Sequence, residues 1–118
     1  MNVRLEHVGT TTLLIPSGRL DFAAAEGFQK QVELVMSGSA DPPRAVVFDC
    51  ADLEYVSSAG LRVFLMAAKA AQRAGISLSL CSLRPAVREV LDLSGFSRVM
   101  SIHADRAAAL AAVPSAAV

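Results

Sequence analysis

The 118-residue sequence predicts a single α/β domain with a mixed, mostly parallel five-stranded sheet and about four helices. First, short apolar runs such as residues 45–48, Ala-Val-Val-Phe, are typical of parallel strands that are buried on both faces. Second, longer segments between such runs repeat apolar residues at helical spacing. Third, the elements follow in the order β-β-α-β-α-β-α-β-α, so that strands and helices alternate after an opening hairpin.

The first half of the chain is predicted to supply a hairpin, a helix and a central strand. Apolar and polar residues alternate over residues 2–7, and a turn at Gly9 separates this half-exposed strand from a second strand at 11–15. Asp21 is placed to cap a helix to about residue 36. Its buried stripe is predicted to consist of Ala25, Phe28, Val32 and Val35. After the central strand, residues 49–56 are predicted to cross the top of the sheet as a loop.

The second half repeats the alternation of helix and strand. A helix begins at Ser57 or Ser58, both good N-cap residues, and ends at Gly75, with Phe64 and Leu65 predicted to face the sheet. The remaining elements are a strand at 76–81, a helix at 85–95, a strand at 99–102 and a helix that begins after residue 105 and ends at Pro114. Residues 113–118 are predicted to be a frayed tail.

Composition argues against several functions. Eleven basic and eleven acidic side chains give a net charge of zero, and no basic run supports nucleic-acid binding. No charge-free apolar stretch reaches the roughly 20 residues that a membrane span needs. The N-terminus lacks the pattern of a signal peptide, which indicates a cytoplasmic protein. Balanced charge and the lack of a heptad repeat predict a monomer in isolation.

The sequence also lacks the patterns of a metal, cofactor or catalytic site. Cys50 and Cys81 belong to no CxxC motif, so reduced structural thiols are expected. Neither a GxGxxG motif nor a P-loop is present, so no cofactor is predicted. Ser58 lacks the glycine that a nucleophile elbow needs two residues earlier, where this chain has Val56. We therefore do not expect an enzyme.

Two adjacent serines form the candidate site. Ser57 and Ser58 lie where the carboxyl end of a strand region meets the amino end of a helix, a junction at which free N–H groups and the helix dipole converge. The loop before Asp21 is predicted to lie beside this junction, because both loops follow strands at the same edge of the sheet. Helix capping alone would explain the serines equally well.

Three segments carry a resemblance to a known family. They are residues 49–61, DCADLEYVSSAGL; residues 18–21, GRLD; and residues 84–96, RPAVREVLDLSGF. Together they resemble the STAS family, and specifically its stand-alone bacterial anti-sigma factor antagonists. In those proteins the serine two positions before the motif glycine is phosphorylated by the anti-sigma factor, which is a serine kinase. The resemblance places that serine at Ser58, and the family's usual aspartate before it is replaced here by Ser57.

The resemblance implies a function by partner switching. Unmodified protein would bind the anti-sigma kinase, protein phosphorylated on Ser58 would release it, and a serine phosphatase would restore the unmodified form. The implied partner-binding residues are Asp21, Ser57, Ser58, Ala59, Gly60, Leu61 and Arg62. The alternative is a fixed STAS adaptor, such as a soluble subunit of a lipid-transporting ABC system or a signalling scaffold, which would use the same surface without switching.

Overall fold

The computed structural model describes residues 1–38 and 40–113. Its elements are β1 (Asn2–Val8), β2 (Thr11–Leu20), α1 (Phe22–Ser37), β3 (Ala45–Asp49), β4 (Leu53–Val56), α2 (Ser58–Ala74), β5 (Ser77–Cys81), α3 (Pro85–Leu93), β6 (Ser101–His103) and α4 (Arg106–Ala111). Five strands follow the order β1-β2-β3-β5-β6, and the sixth, β4, pairs with the end of β2. Only the β1–β2 pair is antiparallel among the strand pairs of these residues. The predicted mixed, mostly parallel α/β fold is confirmed.

The helices cover the two faces of the sheet unequally. One face packs against α1, α2 and α3, and the rings of Phe28, Phe48 and Phe64 meet there edge to face with centroids 5.2–5.9 Å apart. Such ring pairs add to the stabilisation from burial. The opposite face is smaller and packs mainly against Ala109 of α4. The larger face therefore holds most of the core and carries α2, whose first turn forms the candidate site.

The structure corrects the prediction for residues 49–56 and for the end of β2. Residues 53–56 form β4 instead of a loop, with Leu53 and Val56 buried and the two residues between them exposed. β2 does not end at residue 15 but continues to Leu20, because a register shift after Gly18 lets it pair with β4 beyond its pairing with β3. Gly18 has a φ of +92°, which side-chain-bearing residues rarely adopt.

The buried stripes of two helices are rotated slightly from their predicted positions. In α2 the buried residues are Gly60, Val63, Phe64, Ala67 and Ala71. Leu65 is 37% exposed, so the prediction that it faces the sheet is wrong. In α1 the fully buried stripe ends at Met36 instead of Val35, which is half-buried against the core.

The ends of the helices largely follow the sequence. Asp21 and Asp105 cap α1 and α4 through their carboxylates, and Gly75 ends α2 in the left-handed region with a φ of +71°. The last strand begins two residues later than predicted, after a 3-10 turn at Phe96–Arg98. The predicted helix end at Pro114 and most of the predicted tail lie outside the described residues. Within residues 1–38 and 40–113, no helix combines the length and apolarity needed to cross a membrane.

Candidate functional site

The pairing of β2 with β4 brings the two predicted loops together. Leu20 is aligned with Val56 at the carboxyl ends of these parallel strands. The Ser57 N–H donates a hydrogen bond of 2.9 Å to the Leu20 carbonyl oxygen. Asp21, which follows Leu20, and Ser57 therefore start the two neighbouring helices α1 and α2 at one end of the sheet. The predicted adjacency of the two loops is confirmed.

The two serines have different environments. Ser57 is half-buried, and its hydroxyl oxygen accepts a hydrogen bond of 3.2 Å from the Gly60 N–H, so Ser57 is the N-cap of α2. Ser58 is the first residue of α2 and is exposed. In the described part of the chain its hydroxyl has no hydrogen-bond partner. The sequence left the capping residue open between the two serines, and the structure assigns this role to Ser57.

Gly60 marks a close approach between α2 and β2. A Cβ atom built on Gly60 would lie 2.6 Å from the Leu20 Cγ atom and 3.0 Å from the Leu20 carbonyl oxygen. Any side chain would therefore push the first turn of α2 away from the strand end. Gly60 has a positioning role: it holds the backbone at Ser57 and Ser58 against the sheet.

The remaining predicted partner-binding residues differ in accessibility. Ala59 and Leu61 are half-buried and pack against the core, whereas Arg62 is exposed on α2. Asp21 is half-buried, and its Oδ1 atom accepts a hydrogen bond of 2.9 Å from the Ala24 N–H. Arg62 and Ser58 are four residues apart on one helix and therefore lie on the same side of it.

Phe22 is a feature of this surface that the sequence analysis did not identify. Its side chain is 84% exposed at the start of α1, although an aromatic residue of this size is usually buried at least in part. It borders a shallow groove of about 340 Å³ between α1 and α2, whose lining also includes Glu26, Ala59 and Arg62. The signal in the sequence was an aromatic residue directly after the helix cap at Asp21. The site thus combines a free hydroxyl, an exposed aromatic ring and a cation.

An ion-pair network lies at the end of β3. The guanidinium of Arg106 contacts the Asp49 Oδ2 atom at 2.9 Å and the Glu6 Oε2 atom at 2.6 Å. The hydrogen bond that Arg106 donates to the Asp49 carboxylate raises the pKa of Arg106. Asp49 opens the segment that resembles the STAS signature, and its Oδ1 atom also accepts a hydrogen bond from the Ala51 N–H. The network fixes the strand end from which the chain turns into β4.

Both cysteines are free thiols within the hydrophobic core. Both side chains are buried, and burial raises the pKa of each thiol. Cys50 packs into the core beneath α1 and α2, whereas Cys81 packs on the α4 side, so the two thiols lie on opposite faces of the sheet. Across residues 1–38 and 40–113, no three His, Cys, Asp or Glu side chains come together in a way that would hold a metal ion.

Comparisons with known proteins agree with this fold. The chain is 36% identical over 117 residues to BtrV of Bordetella bronchiseptica, which is described as an anti-sigma factor antagonist, and the match covers 98% of this chain and 97% of that protein. The crystal structure of an anti-sigma factor antagonist from Mycobacterium paratuberculosis superposes with a TM-score of 0.85 at 21% identity, covering 95% of this chain and 92% of the other.

A second solved structure is that of the Bacillus cell fate determinant SpoIIAA in its phosphorylated form. It superposes with a TM-score of 0.72 at 21% identity and covers 96% of this chain and all of that one. The sequence model of the STAS domain matches residues 2–109, which is most of the chain. This protein therefore belongs to the STAS domain family.

Proposed function

We propose that this protein is an anti-sigma factor antagonist that acts by partner switching. In the unmodified form it binds an anti-sigma factor that is a serine kinase. Phosphorylation of Ser58 by that kinase releases the complex, and a serine phosphatase returns the protein to its binding form. The names of the relatives support the antagonist role, and one structural relative is described in a phosphorylated form.

The exposed hydroxyl of Ser58 is the observation that carries the proposal. A kinase must reach the serine oxygen and transfer a phosphoryl group to it, so the acceptor has to be accessible and free of competing bonds. Ser58 meets both conditions in the described structure, whereas the Ser57 oxygen is occupied by the Gly60 N–H. The difference favours Ser58 over Ser57 as the modified residue.

The position of Ser58 also explains how the domain tolerates the modification. A phosphate adds a charge of about −1.5 to −2 near pH 7 and interacts favourably with the amino end of a helix. Ser58 lies in the first turn of α2, so the folded domain has no need to rearrange when the phosphate is added. Release must then come from the interface with the partner.

The surroundings of Ser58 make a charged interface unfavourable. Phe22 and the groove between α1 and α2 offer an anchor that reaches Ala59, the residue after Ser58. A partner that covers this anchor would remove water from Ser58 as well, and desolvating a dianion is costly even with the exposed Arg62 on the same side of the helix. Because each 1.4 kcal/mol lost at the interface weakens binding about tenfold, a modest penalty is enough for release.

Phosphorylation of paired variants tests the acceptor. Purified protein would be incubated with ATP and the serine kinase encoded nearest to its gene, and the phosphate located by mass spectrometry. Ser57→Ala should retain incorporation, whereas Ser58→Ala should lose it. Phosphate on Ser57, or undiminished incorporation in Ser58→Ala, would contradict the assignment.

Binding measurements test the switch and the anchor separately. Ser58→Glu should weaken binding to the kinase, while Ser58→Ala should leave it largely intact. Phe22→Ala should weaken binding about tenfold or more if the ring is a hot spot, and Leu93→Ala is a matched control because Leu93 is 81% exposed on α3. Kinase binding that is indifferent to Ser58→Glu and to ATP would instead favour the fixed adaptor.

A further inference from the structure

The outer edge of β1 is open. In residues 1–38 and 40–113, β1 pairs only with β2, so its second row of backbone N–H and C=O groups faces solvent. This edge is long: β1 has seven residues, whereas β6, the strand at the other end of the sheet, has only three. Leu5 and Val8 are 51% and 50% exposed on β1. A long, open edge with exposed apolar side chains is a template for pairing with another strand.

The side chains of β1 are divided between the two faces of the sheet. Val3 packs against the core beneath α1 and α2, so the alternating residues Leu5 and His7 face the same side. Arg4 and Glu6 face the α4 side, where Glu6 binds Arg106. Arg4 and Glu6 therefore place opposite charges two residues apart on the α4 side, and Leu5 between them lies on the other side.

We propose that a second copy of this chain pairs with β1 in an antiparallel arrangement around a two-fold axis at Leu5. In this register Leu5 lies opposite Leu5 of the second copy, and Arg4 lies opposite Glu6 of the second copy. The two-fold axis produces the Arg4–Glu6 pair twice. Cross-strand pairs of opposite charge stabilise a sheet, so the edge of one copy is complementary to the edge of the other.

The charges also select this register over its neighbours. A two-fold axis perpendicular to the sheet keeps corresponding faces together, so paired residues must lie on the same face. The copies can therefore be shifted only in steps that change the sum of the two paired residue numbers by two. One step in one direction places Arg4 opposite Arg4, and one step in the other direction places Glu6 opposite Glu6. Both arrangements put like charges directly opposite each other, which destabilises the pair. Charged residues that usually protect an edge thus favour one pairing here.

The apolar side of the strand gains cover in the same arrangement. Leu5 lines a groove of about 540 Å³ between β1 and α1, together with Leu34, which is 67% exposed, and Val35. The second copy would place its own Leu5 beside this groove. Balanced charge and the lack of a heptad repeat predict a monomer, but neither property bears on pairing at an open sheet edge.

The dimer leaves the Ser58 site free. Ser58 lies at the carboxyl ends of the parallel strands β2 and β4, beyond Leu20 and Val56. Antiparallel pairing of β1 points these ends in opposite directions in the two copies. The two Ser58 sites are therefore at opposite ends of the dimer, and the proposed self-association and the proposed partner switching can be tested independently.

Disulfide cross-linking tests the register. Leu5→Cys places two thiols directly opposite each other, at the Cβ separation of about 4.5–5.5 Å that is typical of cross-strand pairs. Val8→Cys is the matched control, because Val8 is equally exposed but would lie about 20 Å from its counterpart. The native cysteines are buried and add little background. We expect mild oxidation of the full chain to cross-link Leu5→Cys and not Val8→Cys, and equal yields would refute the register.

Charge reversal tests the pairing without a thiol. Arg4→Glu converts both Arg4–Glu6 contacts into repulsion, and sedimentation velocity over a concentration series should show self-association weakened roughly tenfold or more. Arg98→Glu is the control, since Arg98 is an exposed arginine in the turn before β6, the strand at the opposite edge of the sheet from β1. Circular dichroism establishes that each variant is folded. A wild-type sedimentation coefficient that is constant over the series, or equal effects of the two reversals, would overturn the proposal.

Discussion

Gly60→Ala tests how α2 is held against β2. The added Cβ would lie 2.6 Å and 2.9 Å from two side-chain carbons of Leu20 and 3.0 Å from its carbonyl oxygen. Leu20 is fully buried, so its side chain has no free space into which it can move. Overpacking of this kind costs about 1–3 kcal/mol, and the better helix propensity of alanine returns at most about 1 kcal/mol. We expect a net loss of about 1–2 kcal/mol in the free energy of unfolding.

Gly27→Ala is the matched control for this prediction. Gly27 lies on the exposed side of α1, where an added Cβ would meet no atom within 4 Å. Alanine should therefore stabilise the protein by about 0.5–1 kcal/mol through backbone entropy and helix propensity. Urea denaturation monitored by circular dichroism measures both variants. If the two substitutions shift the midpoint in the same direction, the tight seating of α2 on Leu20 is not real.

Three further predictions concern the core, the cap and the thiols. In urea unfolding, Phe64→Ala should lower the free energy of unfolding by about 3–5 kcal/mol, and substitution of the half-exposed Leu65 by Ala should lower it by less than about 1.5 kcal/mol. Similar losses for the two variants would mean that the helix phase is wrong. Ser57→Ala should cost about 1 kcal/mol because it removes the cap, whereas Ser58→Ala should change thermal stability by no more than about 0.5 kcal/mol; the reverse order would assign the cap to the wrong serine. Burial raises the pKa of the Cys50 thiol, so above about pH 8.5 the unfolded chain loses a proton that the native state keeps. The free energy of unfolding should not depend on this thiol below that pH and should fall above it by up to about 1.4 kcal/mol per pH unit. In the Cys50→Ala variant the free energy of unfolding should therefore decline less steeply at alkaline pH than in the wild type.

The sequence was sufficient for the elements that depend on local patterns. The caps at Asp21 and Asp105, the end of α2 at Gly75 and the start of α3 at Pro85 are set by residues within one helical turn. N-cap propensity and helical spacing also placed Ser57 and Ser58 at the start of a helix, where the structure has them.

The errors arose where a residue's role depends on a distant strand. Residues 53–56 have only two buried side chains, and they form a strand because the end of β2 is available as a partner after the register shift at Gly18. Propensity also could not separate Ser57 from Ser58, since both favour the N-cap position. The hydrogen bond from the Ser57 N–H to Leu20, 37 residues earlier in the chain by numbering, fixes where the helix begins.

The ion pair between Glu6 and Arg106 has a consequence for biosynthesis. Its two residues are 100 positions apart, so the pair can form only after the segment between them has been synthesised. Until then Asp49, which also pairs with Arg106, lacks this cation at the end of β3. Contacts of such long sequence separation slow folding. The β1–β2 hairpin and the α1–α2 layer can assemble on the nascent chain. The ion pairs of Arg106 in α4 with Glu6 and Asp49 form only after α4 has been synthesised. A chain stalled before Arg106 should therefore already show hydrogen-exchange protection in the β1–β2 hairpin, α1 and α2, and a lack of protection there would contradict this order.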